Sequence, residues 1–255
     1  MRLKAAVTRT PQYLPQKSSP GKAANALDSL IFPNICPACK KDLVSTKNAM
    51  GLCETCGVHL TRFPIPRCKA CGGPVDGLLD VCGECAANPC REWDHAVSVY
   101  PYGGFLRHLI HRFKYRGAIA LAPGFARAMA DNLQEHGVIQ PDAVTAVPMH
   151  WWRQLQRGYN QAELLARLIA SITGIPLIKG LRRTKNSQRQ ATLDLKTRQR
   201  NVQQVFSHDG KTNLKGYHIV LVDDVLTTGA TLDAATLTLR KAGAEVVEVL
   251  TLARG

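Results

Sequence analysis

The stretch HIVLVDDVLTTGATL, residues 218 to 232, decides how this chain is read. Four apolar residues, Ile219 to Val222, lead to Asp223 and Asp224 and predict the most strongly marked strand of the chain, YHIVLV over 217–222. A short loop of Thr227, Thr228, Gly229, Ala230 and Thr231 then opens a helix predicted over about 230–242. In open parallel sheets, ligands bind at the carboxyl ends of such strands. Two adjacent carboxylates at that edge suit a diol, such as the 2- and 3-hydroxyls of ribose, and can lie near a bound Mg2+. The loop offers backbone N–H groups and hydroxyls at a helix N-terminus, where the dipole favours a phosphate. A diol beside a monophosphate describes a ribose 5-phosphate.

Three other readings of the same stretch are weaker. A Walker A loop needs a Lys after its second Gly, and none is present. A receiver domain also carries paired acids after an apolar strand, but near its start, whereas only 31 residues follow Asp224. Helix capping alone would account for Thr227 and Thr228 but not for the two acids.

Working outward, strands alternate with helices. HAVSVYPY (95–102) and AVTAVPM (143–149) read as strands, IPLIKGL as a short strand candidate, and EVVEVLTLA (245–253) as the last strand. Helices are predicted over 105–117, 120–136 and 161–174, the last ended by Gly174. This order predicts an α/β fold with a parallel sheet.

Upstream the pattern changes. Residues 36 to 90 are rich in Cys, Gly and Pro, lack a helical period, and hold all nine cysteines. Four CxxC pairs stand out: Cys36 with Cys39, Cys53 with Cys56, Cys68 with Cys71, and Cys82 with Cys85. The first two pairs are 13 residues apart and the last two 10, spacings that suit tetrahedral four-thiolate sites. Zn2+ is the natural occupant, at two structural sites, because it favours thiolates and its binding energy replaces a core that about 50 residues cannot supply. Sequential pairing of the knuckles and an interleaved arrangement both satisfy the spacing. Disulfides and iron–sulfur ligation lack a signal peptide and a matching spacing. Cys90 is left as a bystander thiol.

The whole chain has 255 residues, 45% hydrophobic, with a formal net charge of +14. Half of that surplus lies in 182–215, with 9 basic and 2 acidic residues, while 216–255 has 3 and 5. A polyanionic partner is therefore expected at a local surface. No stretch of about 18 apolar residues predicts a membrane span. Residues 1–30 read as a disordered basic tail, for which a transit peptide is the competing reading, and a cytoplasmic location is the expectation.

VLVDDVLTTGAT (220–231) closely resembles the 5-phosphoribosyl diphosphate (PRPP) signature of type I phosphoribosyltransferases. The four-cysteine knuckles, KYRG (114–117), VPMHWWRQLQRGYNQAELLA (147–166), QATLDLKTRQRN (190–201) and this signature, in that order, resemble the ComF family, ComFC and GntX type. The resemblance spans roughly residues 30–255. It implies a double zinc-ribbon module over 31–90 and a type I phosphoribosyltransferase-like domain over 91–255, in proteins of DNA uptake or DNA utilisation.

Carried over by position, Asp223 and Asp224 would hold the ribose hydroxyls of PRPP with Mg2+, and Thr227 to Thr231 the 5-phosphate. Pro148, Met149 and His150 would form the pyrophosphate loop, and Arg157 would act beside the two acids in catalysis. Arg189, Gln190, Arg198, Arg200 and Asn201 would belong to a mobile basic loop, gripping pyrophosphate or single-stranded DNA. Asn160 is equally well explained by a capping box with Glu163, and Lys114 and Arg116 by the dipole at a helix end. Two functions follow: phosphoribosyl transfer from PRPP, or a non-catalytic module that binds single-stranded DNA or a protein of the uptake machinery.

Overall fold

Strict alternation along the central strands divides the apolar side chains between two cores. Val220 and Val222 point into one, and Ile219 and Leu221 into the other, all fully buried. The computed structural model describes residues 35–43, 50–87, 91–135, 141–184, 205–210 and 212–255.

Two one-turn helices, α1 (Glu54–Gly57) and α2 (Gly83–Ala87), lie in the cysteine-rich region. The remainder runs β1 (His95–Pro101), α3 (Gly104–Tyr115), a 3-10 turn at Ile119–Leu121, α4 (Ala122–Glu135), β2 (Ala143–Ala146), α5 (Trp151–Arg157) and α6 (Gln161–Thr173). A short hairpin of β3 (Leu181–Arg183) and β4 (Phe206–His208) follows, then β5 (His218–Leu226), α7 (Ala230–Lys241) and β6 (Val246–Arg254).

The expected parallel sheet is present, with strand order β1-β6-β5-β2. Strand β5 runs four residues past the apolar run, so both aspartates lie inside it, and Asp223 is registered with Thr251 of β6. Strand β2 stops at Ala146, before Pro148, because proline cannot donate to a ladder. The IPLIKGL segment contributes a single parallel bridge, Leu177 to Val144, and its Leu181 opens β3.

Helices α3, α4 and α6 cover one face of the sheet; α7 and the β3–β4 hairpin cover the other. The cysteine knuckles are split between them: Cys36 and Cys56 join the first core, and Cys68, Cys71 and Cys85 the second. The cysteine-rich region therefore packs against both faces of the sheet. No described helix is long and apolar enough to cross a membrane.

Candidate ligand cleft and metal centres

Strand alternation turns the two aspartates toward opposite faces at the carboxyl end of β5. Asp224, 8% exposed, is held by the α3 side, where Lys114 Nζ lies 2.8 Å from its Oδ1. Lys114 is thus a member of the site and not only a cation at a helix end. Asp223 Oδ1 accepts a hydrogen bond from the Asp224 N–H at 2.8 Å. Burial and the neighbouring Asp224 carboxylate push the Asp223 carboxyl up to about 7, against the pull of Lys114 and of Arg183 on β3. A carboxyl so poised gains from any cation or hydroxyl donor that enters the cleft.

Three residues beyond the strand, Gly229 takes φ +84 and caps α7, a left-handed conformation that favours glycine. A side chain there would also collide with the segment before β1 that packs behind the loop, since a Cβ would lie 2.8 Å from Trp93 Cη2. Arg91 Nη1 donates to the Thr228 carbonyl at 2.7 Å and pairs with Asp233 at 3.4 Å, and Glu92 N–H donates to Asp233. Thr227, Thr228, Ala230 and Thr231 remain exposed at the mouth. The first N–H groups of α7, which have no intrahelical acceptor, are thereby left for a ligand. Arg91 and Trp93 carry no motif, and sequence reasoning passed over both.

The loop after β2 reaches the same edge, with the Val147 N–H donating to the Val222 carbonyl at 3.0 Å. Pro148, Met149 and His150 are half-buried there, and His150 Nδ1 accepts the Trp152 N–H at 3.3 Å as the cap of α5. Asn160 caps α6 by accepting the Ala162 N–H, and its amide donates to the Val147 carbonyl at 3.2 Å. Glu163 pairs instead with Arg167, so the capping box is half made and Asn160 anchors the loop. Arg157 donates to Tyr115 Oη at 2.9 Å and to Gln161, with its guanidinium 4.6 Å from the Tyr115 ring centroid. KYRG and RGYNQ, far apart in sequence, are therefore one packed unit. A cleft of about 500 Å3 adjoins Pro148 and Asn160 but is lined by Lys179, Arg182 and Asp209 and not by the aspartate pair. The strand ends, and not that cavity, define the candidate site. Arg189, Gln190, Arg198, Arg200 and Asn201 lie outside the described residues, as does Cys90.

The eight described cysteines gather sequentially into two groups, Cys36, Cys39, Cys53, Cys56 and Cys68, Cys71, Cys82, Cys85, with all sulfurs of each group within 4.8 Å. Cys39 and Cys53 Sγ are 3.6 Å apart, and Cys71 and Cys82 Sγ 3.8 Å. These distances match the edge of a tetrahedron around zinc, about 3.8 Å for Zn–S bonds of about 2.3 Å, and none of the eight described cysteines forms a disulfide. Burial opposes ionisation of Cys36, but N–H groups of Cys39, Cys53 and Ala38 outweigh it and lower the thiol to about 6. These donor sets fit two structural Zn2+ ions, with no ligand position left open to water.

Residues 27–86 match the double zinc ribbon domain family and residues 158–255 the phosphoribosyl transferase domain family. Over 225 residues the chain is 35% identical to competence protein F of Haemophilus influenzae, covering 86% of this chain and 96% of the relative. It is 30% identical over 230 residues to DNA utilization protein YhgH of Salmonella typhi, covering 88% and 99%. Competence protein ComFC of Bacillus subtilis is 29% identical over 212 residues, covering 80% and 84%.

Proposed function

Because this chain belongs to the ComF family of competence and DNA-utilisation proteins, we propose that the carboxyl edge of β5 binds PRPP with Mg2+ and serves phosphoribosyl transfer. The observation that carries this reading is the placement of Asp223 and Asp224 at the end of β5, directly before an exposed Thr- and Gly-containing loop at the start of α7. The two carboxylates would take the ribose hydroxyls, the Thr227–Thr231 loop the 5-phosphate, and the Pro148–His150 backbone the pyrophosphate. Lys114 now neutralises Asp224; a ribose with its Mg2+ would take over part of that role. In the transfer, an acceptor forms a bond to ribose C1 as the C1–O bond to pyrophosphate breaks, the electron pair leaving with pyrophosphate. Mg2+ would supply charge neutralisation of that leaving group. Arg183, near Asp223, would add to it from the hairpin side. The site would operate in the cytoplasm, within DNA uptake or utilisation.

Ligand-induced stabilisation tests the reading. PRPP with Mg2+ at about a hundred times Kd adds about 2.7 kcal/mol, a rise in Tm of roughly 5 to 10 °C for a chain of this size. Asp223→Ala with Asp224→Ala should abolish the rise. An unchanged Tm for the parent protein at saturating ligand sinks the proposal.

A second reading, binding of single-stranded DNA, is favoured by α5. Its Trp151 and Trp152 are 62% and 51% exposed, stand edge to face 5.5 Å apart, and are flanked by Arg153 and Arg157. Exposed indoles beside guanidinium groups suit base stacking and phosphate contact. Binding should fall steeply with salt. Unaltered affinity for an oligonucleotide in Trp151→Ala, Trp152→Ala and in Arg189→Ala, Arg198→Ala, Arg200→Ala would remove it.

A further inference from the structure

Each zinc knuckle presents the carbonyls between its first two cysteines to one side chain of the sheet region. In the first, the Pro37 and Ala38 carbonyls accept both Arg112 Nη atoms, Pro37 at 3.0 Å. Arg112 lies on α3 two residues before Lys114, the partner of Asp224. In the second, the Ala70 carbonyl accepts the Trp93 indole N–H at 2.7 Å, and the adjacent Lys69 carbonyl accepts the Ala96 N–H at 2.8 Å. The far edge of the Trp93 ring fills the space that a side chain at Gly229 would need, and Arg91 lies against that ring and holds Thr228. The two connections end on different walls of one cleft, the carboxylate wall and the phosphate wall. These CxxC carbonyls are directed by the metal, because a tetrahedral thiolate site fixes the turn that carries them. Cys36 and Cys68 stay packed in the two cores, but the tie from each turn to the opposing pair, at Cys39 with Cys53 and Cys71 with Cys82, runs through the metal, so the carbonyls lose part of their direction when the ion leaves.

We propose that the two structural zinc ions set the geometry of the ligand cleft, with Arg112 and Trp93 as the positioning residues that transmit it. Metal occupancy and ligand affinity are then coupled, and by linkage the coupling is reciprocal. The identity of the ligand rests on the PRPP reading above; the coupling to the 227–231 loop does not.

The full chain is compared before and after treatment with a zinc-selective chromogenic chelator. Hydrogen exchange is followed in segment 223–232, and PRPP affinity is measured with Mg2+ present. Zinc loss should raise exchange in the loop and weaken PRPP binding, each by about tenfold, within the usual range of such couplings. Saturating PRPP should in turn slow zinc transfer to the chelator. Trp93→Phe, which removes both the N–H donor and the far edge of the ring, should retain two zinc ions per chain, raise loop exchange, and lose most of the PRPP effect on zinc release. Arg112→Lys should weaken PRPP binding with the loop exchange unchanged, since its connection ends at Asp224. Loop exchange unaffected by zinc removal, or Trp93→Phe behaving as the parent in all readouts, overturns the inference. If the zinc-loaded parent binds no PRPP, the functional reading fails, while the exchange measurement still decides the coupling.

Discussion

The cysteine-rich region and the sheet solve the same problem, holding a chain in one shape, with different means. The described residues of 35–87 contain two one-turn helices and two isolated bridges, Ile35 to Asp42 and Arg67 to Pro74, and leave Val58, Ile65 and Leu78 on the surface. In β5 and β6, by contrast, Val220, Leu221, Val222, Leu250 and Leu252 are fully shielded from solvent. What the knuckles bury belongs to the two cores of the sheet, and their own shape depends on the metal. A region without a core of its own can still be rigid where it matters, because ligand geometry fixes backbone carbonyls as firmly as packing fixes side chains.

The strongest way to break this contrast is to remove one thiolate. Cys56→Ser should reduce the zinc content from two ions per chain to one, since a three-thiolate site loses much of a binding energy of about 10–16 kcal/mol. Limited proteolysis should then cut first within residues 35–63, while amides of β5 and β6 keep their protection from exchange. Simultaneous loss of protection throughout the sheet would show that the two regions do not differ as argued.

A smaller effect is expected where the regions meet. Gly124 on α4 lies under the Met50 backbone, and a Cβ there would approach Met50 Cα to 2.8 Å. Because that neighbour is main chain, it has no rotamer to move aside. Gly124→Ala should cost about 1–3 kcal/mol in urea unfolding. Gly77→Ala, where nothing lies within 4 Å, should stay within about 0.5 kcal/mol of the parent. Equal midpoints for the two variants would mean that the first ribbon does not press on α4.

The same contrast explains what could be read from the residues alone. Zinc ligands declare themselves by spacing, and sequential grouping needed only the coordinates of the sulfurs to decide it. The strands declare themselves by apolar runs, and Asp223 and Asp224 by their place at the end of one. Lys114 showed as a helix end and as the first residue of KYRG but without a partner, since its pairing with Asp224 crosses 110 positions and depends on α3 packing against the sheet. Arg91 and Trp93 showed nothing, because contact with Thr228 and Gly229 exists only after the second ribbon has folded under the loop. The tryptophans of α5 were ambiguous for a related reason: a WW pair has the same composition whether it packs or faces solvent, and here it faces solvent. For Arg157, expected opposite a phosphate, spacing did not show the contacts to Tyr115 and Gln161 that fix its guanidinium.

The smallest expected effect sharpens the contrast from the side of the sheet, where a polar group is retained against stability. Asp223 ionises at about 7 in the folded chain, above the ordinary 3.8, so the folded form holds its proton more tightly than the unfolded form. Its stabilising contribution is complete below pH 3.8, is lost as pH rises toward 7, and is absent above. Asp223→Asn keeps an oxygen to accept the Asp224 N–H and removes the charge that burial and Asp224 disfavour. The variant without ligand should therefore exceed the parent at pH 8 by about 1 kcal/mol, or roughly 2 to 4 °C in Tm, with the difference shrinking toward pH 4. A variant equal to or below the parent at pH 8 would mean that Lys114 and Arg183 already satisfy the carboxylate. If the gain is found together with loss of PRPP binding, the carboxylate is kept for its ligand at the expense of the fold. No cysteine in either ribbon would show that trade, because there the ligand is the fold.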